Sequence, residues 1–207
     1  TGNVLANDSD IDAGTLTVSG LTGGAVGTPL VRPSGTLTVN PNGTYSFAVN
    51  ASDPTVAALG AGATLVETYT YTISDGQGGT STAQIRITIN GANDPPVATP
   101  NTNSVTEDTG TPAIGNIKTN GTADSDPDNV MTDVPVTSVT ATTAGGSATP
   151  VMDNSGAGTV VTGKYGTLTI QPDGSYSYAL DNNNPDVNAL NDTQTLVEEF
   201  SYTITDP

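Results

Sequence analysis

Two runs of alternating aspartate are the residues best placed to do chemistry in this sequence. Asp8, Asp10 and Asp12 form one Asp-x-Asp-x-Asp run, and Asp124, Asp126 and Asp128 form another. Three carboxylates gathered within ~5 Å repel by about 3 kcal/mol per pair at an effective dielectric near ~20. A hard cation removes that repulsion. Calcium accepts about six to eight oxygen ligands in loose geometry, which a short loop of alternating acids can supply. The same loop, open to water, can instead splay its acids apart and bind nothing. The spacing is not that of an EF-hand, because Ala13 and Asn129 stand where the turn glycine belongs and no bidentate glutamate closes the loop. A Gly-Gly-x-Gly-x-Asp roll is also absent.

Further oxygen donors lie elsewhere. Asn93 and Asp94 sit in an Asn-Asp-Pro-Pro stretch, an ordinary turn sequence that also offers two ligands. Glu107 precedes Asp108 in Val-Thr-Glu-Asp, after the first strand of the second half. A cation shared by Asn93, Asp94, Glu107, Asp124, Asp126 and Asp128 would fix the angle between the halves of the chain. Asp75, ahead of Gln77-Gly-Gly, reads first as a turn residue, with ligation as the lesser alternative. Catalysis has little to work with. Histidine and cysteine are missing, which removes the usual bases and nucleophiles. The acids cluster in turns without the aromatic cleft a glycosidase needs. The expectation is a protein that is not an enzyme.

Composition narrows the partners. With 21 acids against 4 bases the net charge is −17. Phosphate binding needs Lys and Arg to displace counterions, so nucleic acid is an unsuitable partner. An anionic membrane surface is unsuitable for the same reason, and no apolar run is long enough to span a bilayer. Without cysteine there is no disulfide staple, so something else must stiffen a secreted chain of this kind. The sequence opens at Thr1 in mid-motif, which reads as a segment of something longer. High charge with few aromatics is also the mark of disorder. Strict alternation in TYTYTISD (from Thr68) and QIRITIN (from Gln84) argues against it.

An internal repeat organises these segments. GTLTVNPNGTYSFAV from Gly35 matches GTLTIQPDGSYSYAL from Gly166, and TLVETYTYTISD from Thr64 matches TLVEEFSYTITD from Thr195, in one gapless register. Upstream, GNVLANDSDID from Gly2 has a looser counterpart in GNIKTNGTADSDPD from Gly115. Turn formers and two prolines between Asn90 and Val97 mark the boundary. Residues 1–94 then form one copy, lacking a first strand, and 95–207 a second, lacking a last strand.

Each copy reads as all-β. Leu37 and Val39 alternate with Tyr45, Phe47 and Val49 across a Pro-Asn-Gly turn, which predicts a hairpin. Tyr69, Tyr71 and Ile73 share a strand face, as do Ile85, Ile87 and Ile89. One helical turn interrupts, with Asp53 as cap, Pro54 at its first position and Gly60 at its exit. Asn184, Pro185 and Asn191 repeat that pattern. The second copy carries an insertion at 129–163, expected to be a loop or extended hairpin. Short strands at this density predict two tandem immunoglobulin-like β-sandwich repeats, without the cysteine pair and core tryptophan of antibody domains.

These residues resemble a known family. The runs from Gly35 and Tyr165, with their PNG or PDG hairpins, Asn-Pro or Asp-Pro turns, TLVE and DGQGG, are similar to VCBS repeats of giant bacterial surface proteins. The GNVLANDSDID opening is similar to the bacterial cadherin-like modules found with them. The resemblance implies calcium-rigidified extender repeats in large type I-secreted RTX-type adhesins. Such proteins are extracellular, and attachment and biofilm formation are their usual roles. The partners implied are neighbouring repeats of the same chain, with a host or matrix ligand elsewhere. The second copy departs from the family pattern at Thr205-Asp-Pro, where Asp-Gly-x-Gly-Gly and one more strand belong. Two other readings stay open: a glycan- or protein-binding module using 129–163, and a stalk cross-linked through Lys118 or Lys164 to an Asn or Asp.

Overall fold

The computed structural model describes residues 1–12, 14–152 and 156–207. Ala13 and residues 153–155, the latter within the insertion at 129–163, lie outside the described residues. The chain divides into two compact units, Thr1–Asp94 and Pro95–Pro207. Unit one contains β1 (Gly2–Asn3), β2 (Thr17–Leu21), β3 (Leu30–Arg32), β4 (Gly35–Val39), β5 (Thr44–Val49), α1 (Pro54–Ala57), β6 (Thr64–Ser74) and β7 (Thr80–Asn90). Unit two contains β8 (Ala113–Asn116), β9 (Val136–Ala141), β10 (Thr149–Pro150), β11 (Thr159–Thr162), β12 (Gly166–Ile170), β13 (Ser175–Leu180), α2 (Pro185–Asn188) and β14 (Phe200–Ile204). Among the described residues no helix is long and apolar enough to cross a membrane.

Each unit has two antiparallel sheets. In unit one the order is β1-β5-β4-β3 in one sheet and β2-β6-β7 in the other. Unit two repeats this as β8-β13-β12-β11 and β10-β9-β14. Alternation decides what the sheets bury. Leu37 and Val39 of β4 are sealed against Tyr69 and Tyr71 of β6 and Ile85 of β7, with Val4, Val18 and Leu21. Leu168 and Ile170 of β12 meet Val136, Val139 and Ala141 of β9, together with Val134, Val161 and Ile204. The fold is therefore the immunoglobulin-like sandwich that the alternation predicts.

Local chemistry sets the joints. The turn at 40–44 closes with Gly43 N donating to Asn40 O, and Asn42 Oδ1 accepts from Thr44 N. Its repeat has Gly174 N on Gln171 O and Asp173 Oδ1 on Ser175 N. Asp53 accepts from Thr55 N and Val56 N to start α1, and Asn184 accepts from Asp186 N to start α2, each with proline following. Both helices stop after one turn, at Ala58 and Ala189, ahead of the expected exits at Gly60 and Asn191. Gly35 and Gly166 have a different reason to be glycine. A Cβ there would lie within 2.6 Å of Phe47 and Ala48 O, or of Tyr178 and Ala179 O, so the cross-strand ring occupies its place.

Two departures from the sequence reading have physical causes. The 129–163 segment is not simply a loop: β9 and β11 inside it are sandwich strands equivalent to β2 and β3, and among the described residues β10, paired with β9 as a hairpin, is the strand without a counterpart in unit one. The TLVE segment is strand in unit one but irregular in unit two up to Phe200. Residues Thr64–Thr68 of β6 pair with Asn90–Arg86 of β7, whereas β2 reaches only Tyr71–Ser74. No described residue of unit two takes the place of β7.

The glutamate of TLVE clasps the sheets together. Glu67, on β6, accepts from Arg32 Nη1 at 2.7 Å and from Ser34 Oγ, both at the β3–β4 corner of the opposite sheet. The Arg32 guanidinium also stacks 4.1 Å from the Tyr69 ring centre. Glu198 is its counterpart, accepting from Lys164 N, Tyr165 N and Tyr178 OH. The Ser34 hydrogen bond, then the hydrogen bond and charge of Arg32, hold the Glu67 carboxyl below its usual 4.5 despite partial burial. A lowered carboxyl stabilises the fold fully above its unfolded value and loses that contribution as pH falls through the folded one. Glu67→Gln is expected to cost about 2 kcal/mol at neutral pH. The difference from the parent should shrink as melts are repeated from pH 7 down through pH 4.5; a constant difference would refute the clasp.

Candidate functional site

The acidic run of unit two splits into aspartates with different work. Asp124 is 4% exposed and fully engaged. Its carboxylate accepts from Thr99 N at 2.8 Å, Thr99 Oγ1 at 3.1 Å and Tyr202 OH at 3.1 Å. Its own N–H donates to Lys118 O, closing the 118–124 loop. Burial, followed by the charge of Asp124 and its hydrogen bond, pushes the Tyr202 phenol up to about 12. Asp124 therefore anchors the loop to β14.

Asp126 is placed differently. Its Oδ1 accepts from Asp128 N at 3.1 Å and Asn129 N at 3.0 Å, an Asx turn that shapes the loop. Its Oδ2 is buried and receives no hydrogen bond. Burial pushes this carboxyl up, but its side-chain contacts with Asp206 and Asp128 and the N–H groups of Asp128 and Asn129 outweigh it and hold it below the usual carboxylate range. Asp206 lies just beyond β14, so carboxyl groups from two separate segments meet at Asp126.

Unit one follows the same plan more loosely. Tyr71 OH donates to Val4 O at 3.2 Å and reaches Asp8 Oδ2 at 3.5 Å. Burial first, then Asp8, raises the Tyr71 phenol. Asp10 Oδ1 accepts from Asp12 N at 2.7 Å, the counterpart of the Asp126 turn. A Cβ at Gly14 would stand 3.5 Å from the Asp10 carboxyl and 3.7 Å from Asp75 Cβ, so Asp10 and Asp75 flank one point. Asp75 Oδ1 also accepts from Gln77 N and Gly79 N as a turn residue. In the repeat register Asp75 and Asp206 are the same position. The sequence reading left both out of the candidate site, although TISD and TITD end alike and mark them.

The remaining candidate ligands lie on other segments of the chain. Asn93 and Asp94 close unit one, and Asp94 borders a concavity of about 400 Å³ with Val49, Leu59 and Ile89. Glu107 belongs to the loop before β8, where Asp108 adopts φ 61° and donates its N–H to Asn182 Oδ1. Asp124, Asp126 and Asp128 follow the other end of β8, so Glu107 stands at the opposite pole of unit two. Among the described residues, no group of three acids stands ready as a metal cage. Binding at Asp126, Asp128 and Asp206 therefore requires these carboxylates to turn toward one point.

The lysines are committed too. Lys118 is buried where unit one has Leu5, and its Nζ donates to Met131 O at 2.8 Å and Val134 O at 3.0 Å. Burial lowers its amine below the usual value against the opposing charges of Asp173, Asp124 and Asp133. Lys164 Nζ reaches Tyr165 OH at 2.9 Å and meets Asp186 at 3.4 Å near solvent.

Comparison with known proteins gives the family. The family model of the bacterial cadherin-like domain matches residues 1–91 and again 93–207. The chain belongs to the bacterial cadherin-like domain family. It is also 27% identical over 210 residues to the calcium-binding lectin RapA2 of Rhizobium johnstonii, spanning 97% of this chain and 80% of that protein. Both cadherin-like units thus carry the aspartate pair and the strand-end aspartate on one sandwich plan, which points to a binding or structural module rather than an enzyme.

The division of labour at the acidic loop is testable. Asp124→Ala strands the Thr99 and Tyr202 donors and should destabilise unit two by about 3 kcal/mol even in chelator. Asp126→Ala should cost less than about 1 kcal/mol there, since it also removes carboxylate repulsion. Chemical denaturation in chelator measures both, and a reversed order would refute the assignment.

Proposed function

We propose that the chain is a pair of calcium-stiffened extender repeats from a large secreted adhesin at the bacterial cell surface, serving attachment and biofilm formation. One observation carries the reading: the buried Oδ2 of Asp126, which no donor satisfies, next to the carboxyls of Asp128 and Asp206. A buried, unpaired anionic oxygen is costly, and a hard cation satisfies it without needing a donor. These residues are all-oxygen ligands, which fits calcium and excludes soft-metal chemistry. Family membership and the description of the relative as a calcium-binding lectin support the same choice.

Asp126 and Asp128 would hold the ion from the loop, and Asp206 from the end of β14. Asp124 stays in its structural bonds. In unit one Asp10, Asp12 and Asp75 take these roles, with Asp8 held by Tyr71. When bound, calcium supplies positive charge that ties loop to strand and cancels repulsion among the acids. Neighbouring repeats of the same chain are the natural partners of such a unit. The lectin description of the relative also favours a second reading, in which the β9–β10 hairpin within 129–163 recognises a glycan; binding to a glycan array that is lost on shortening this hairpin would distinguish it.

Binding to the folded state alone raises stability with the logarithm of free calcium. At about 100 times the dissociation constant the gain is about 2.7 kcal/mol per site. Melting in calcium against chelator should show that rise in the parent protein and lose most of the unit-two share in Asp126→Asn with Asp206→Asn. Identical melts of the parent in calcium and in chelator would overturn the proposal.

A further inference from the structure

The sequence contains three Asn-Gly pairs, Asn42-Gly43, Asn90-Gly91 and Asn120-Gly121. Such pairs are prone to one spontaneous reaction, since glycine has no Cβ to shield its backbone nitrogen. That nitrogen loses its proton and attacks the asparagine Cγ. Ammonia leaves, and a five-membered succinimide remains. Water then opens the ring at either carbonyl, giving aspartate or isoaspartate. The net exchange is one water in and one ammonia out. Whether a folded chain permits it depends on the freedom of the attacking nitrogen and of the ring that must form.

The fold treats the three pairs differently. Gly43 N donates to Asn40 O at 2.9 Å, and Asn42 Oδ1 is held by Thr44 N and Thr44 Oγ1. Gly91 N donates to Ala63 O at 2.8 Å, and a Cβ at Gly91 would stand 2.2 Å from Leu59 O, leaving the ring no room. The Gly121 N–H has no such restraint, and the Asn120 amide packs beside Gly115, where a Cβ would meet its Nδ2 at 2.2 Å. Among the described residues no acceptor takes the Gly121 N–H and no hydrogen bond holds the Asn120 side chain. Nothing lies within 4 Å of a Cβ built on Gly121.

We propose that Asn120-Gly121 is a site of spontaneous deamidation, and that the other two pairs are protected by the fold. The pair sits in the loop closed by Asp124 N on Lys118 O, the bond that seats Asp124. Deamidation there adds a negative charge beside the acidic run, and the isoaspartate form also lengthens the loop backbone by one methylene. The inference does not rest on calcium being bound.

Ageing the full chain in mildly alkaline buffer, followed by peptide mapping with isoaspartate detection, tests it. Breaking one hydrogen bond before attack slows the step by up to about tenfold, so Asn120 should convert about tenfold faster than Asn42 and Asn90. In urea the three rates should converge. Comparable rates in the folded chain, or a lead by Asn42 or Asn90, would overturn the proposal. So would a lead by Asn120 that persists unchanged in urea, since sequence rather than fold would then explain it. Asn120→Gln should remove the fast phase and leave the slow ones.

Discussion

A carboxylate partly buried between two sheets must find donors on the sheet opposite its own, and each unit is organised around one that does. Glu67 projects from the β2-β6-β7 sheet and is met at the β3–β4 corner by Arg32 and Ser34. Glu198 is met at the equivalent corner by Lys164 N, Tyr165 N and the Tyr178 hydroxyl. The apolar core of such a chain is thin, made of valine, leucine and isoleucine with a few tyrosines. Apolar contact is non-directional and leaves two sheets free to slide. A charge-assisted bond to a fixed corner is directional, so it selects one register between them.

The donors differ between the units although the acceptor does not. Where unit one uses a side-chain cation and a hydroxyl, unit two has Gly163 and Tyr165 in the matching places and turns to backbone N–H groups. A Cβ at Gly163 would fall within 2.7 Å of the Glu198 carboxyl, so removing the arginine is also what lets the carboxylate approach the main chain. The requirement is satisfaction of a partly buried charge, and two different sets of donors meet it.

Much of this was legible in the sequence, for reasons specific to particular residues. The hairpins at Asn40–Thr44 and Gln171–Ser175, the caps at Asp53 and Asn184, and the buried faces of Tyr69, Tyr71, Ile85 and Ile89 all depend on local pattern, which a linear reading captures. What escaped depends on partners distant in sequence. Nothing near Glu67 announces Arg32 and Ser34, more than thirty residues away. Asp206 looks like a strand end until the fold returns it to Asp126, and the 129–163 segment hid two sandwich strands because short strands of valine and threonine lack strict apolar alternation. Lys118 escaped for the opposite reason: a lysine in a polar turn reads as exposed, yet the repeat register puts it where Leu5 packs against the core of unit one.

That substitution connects the acidic loop with the core. A leucine at this position contributes only apolar area, whereas the Lys118 amine must be satisfied, and it takes the carbonyls of Met131 and Val134. Those carbonyls belong to the segment running from Asp128 into β9. Asp124 pins the near side of the same loop to Tyr202, and Lys118 pins its far side from beneath. Between the two fixed points lie Asp126 and Asp128, whose backbone conformation is set by the Asx turn while Asp126 Oδ2 remains unsatisfied. In unit one neither pin is as firm, since Tyr71 reaches Asp8 only at 3.5 Å and the Leu5 side chain offers no hydrogen bond. Two loops of the same aspartate spacing therefore differ in how far they are held ready, and the difference comes from residues outside the aspartate run itself.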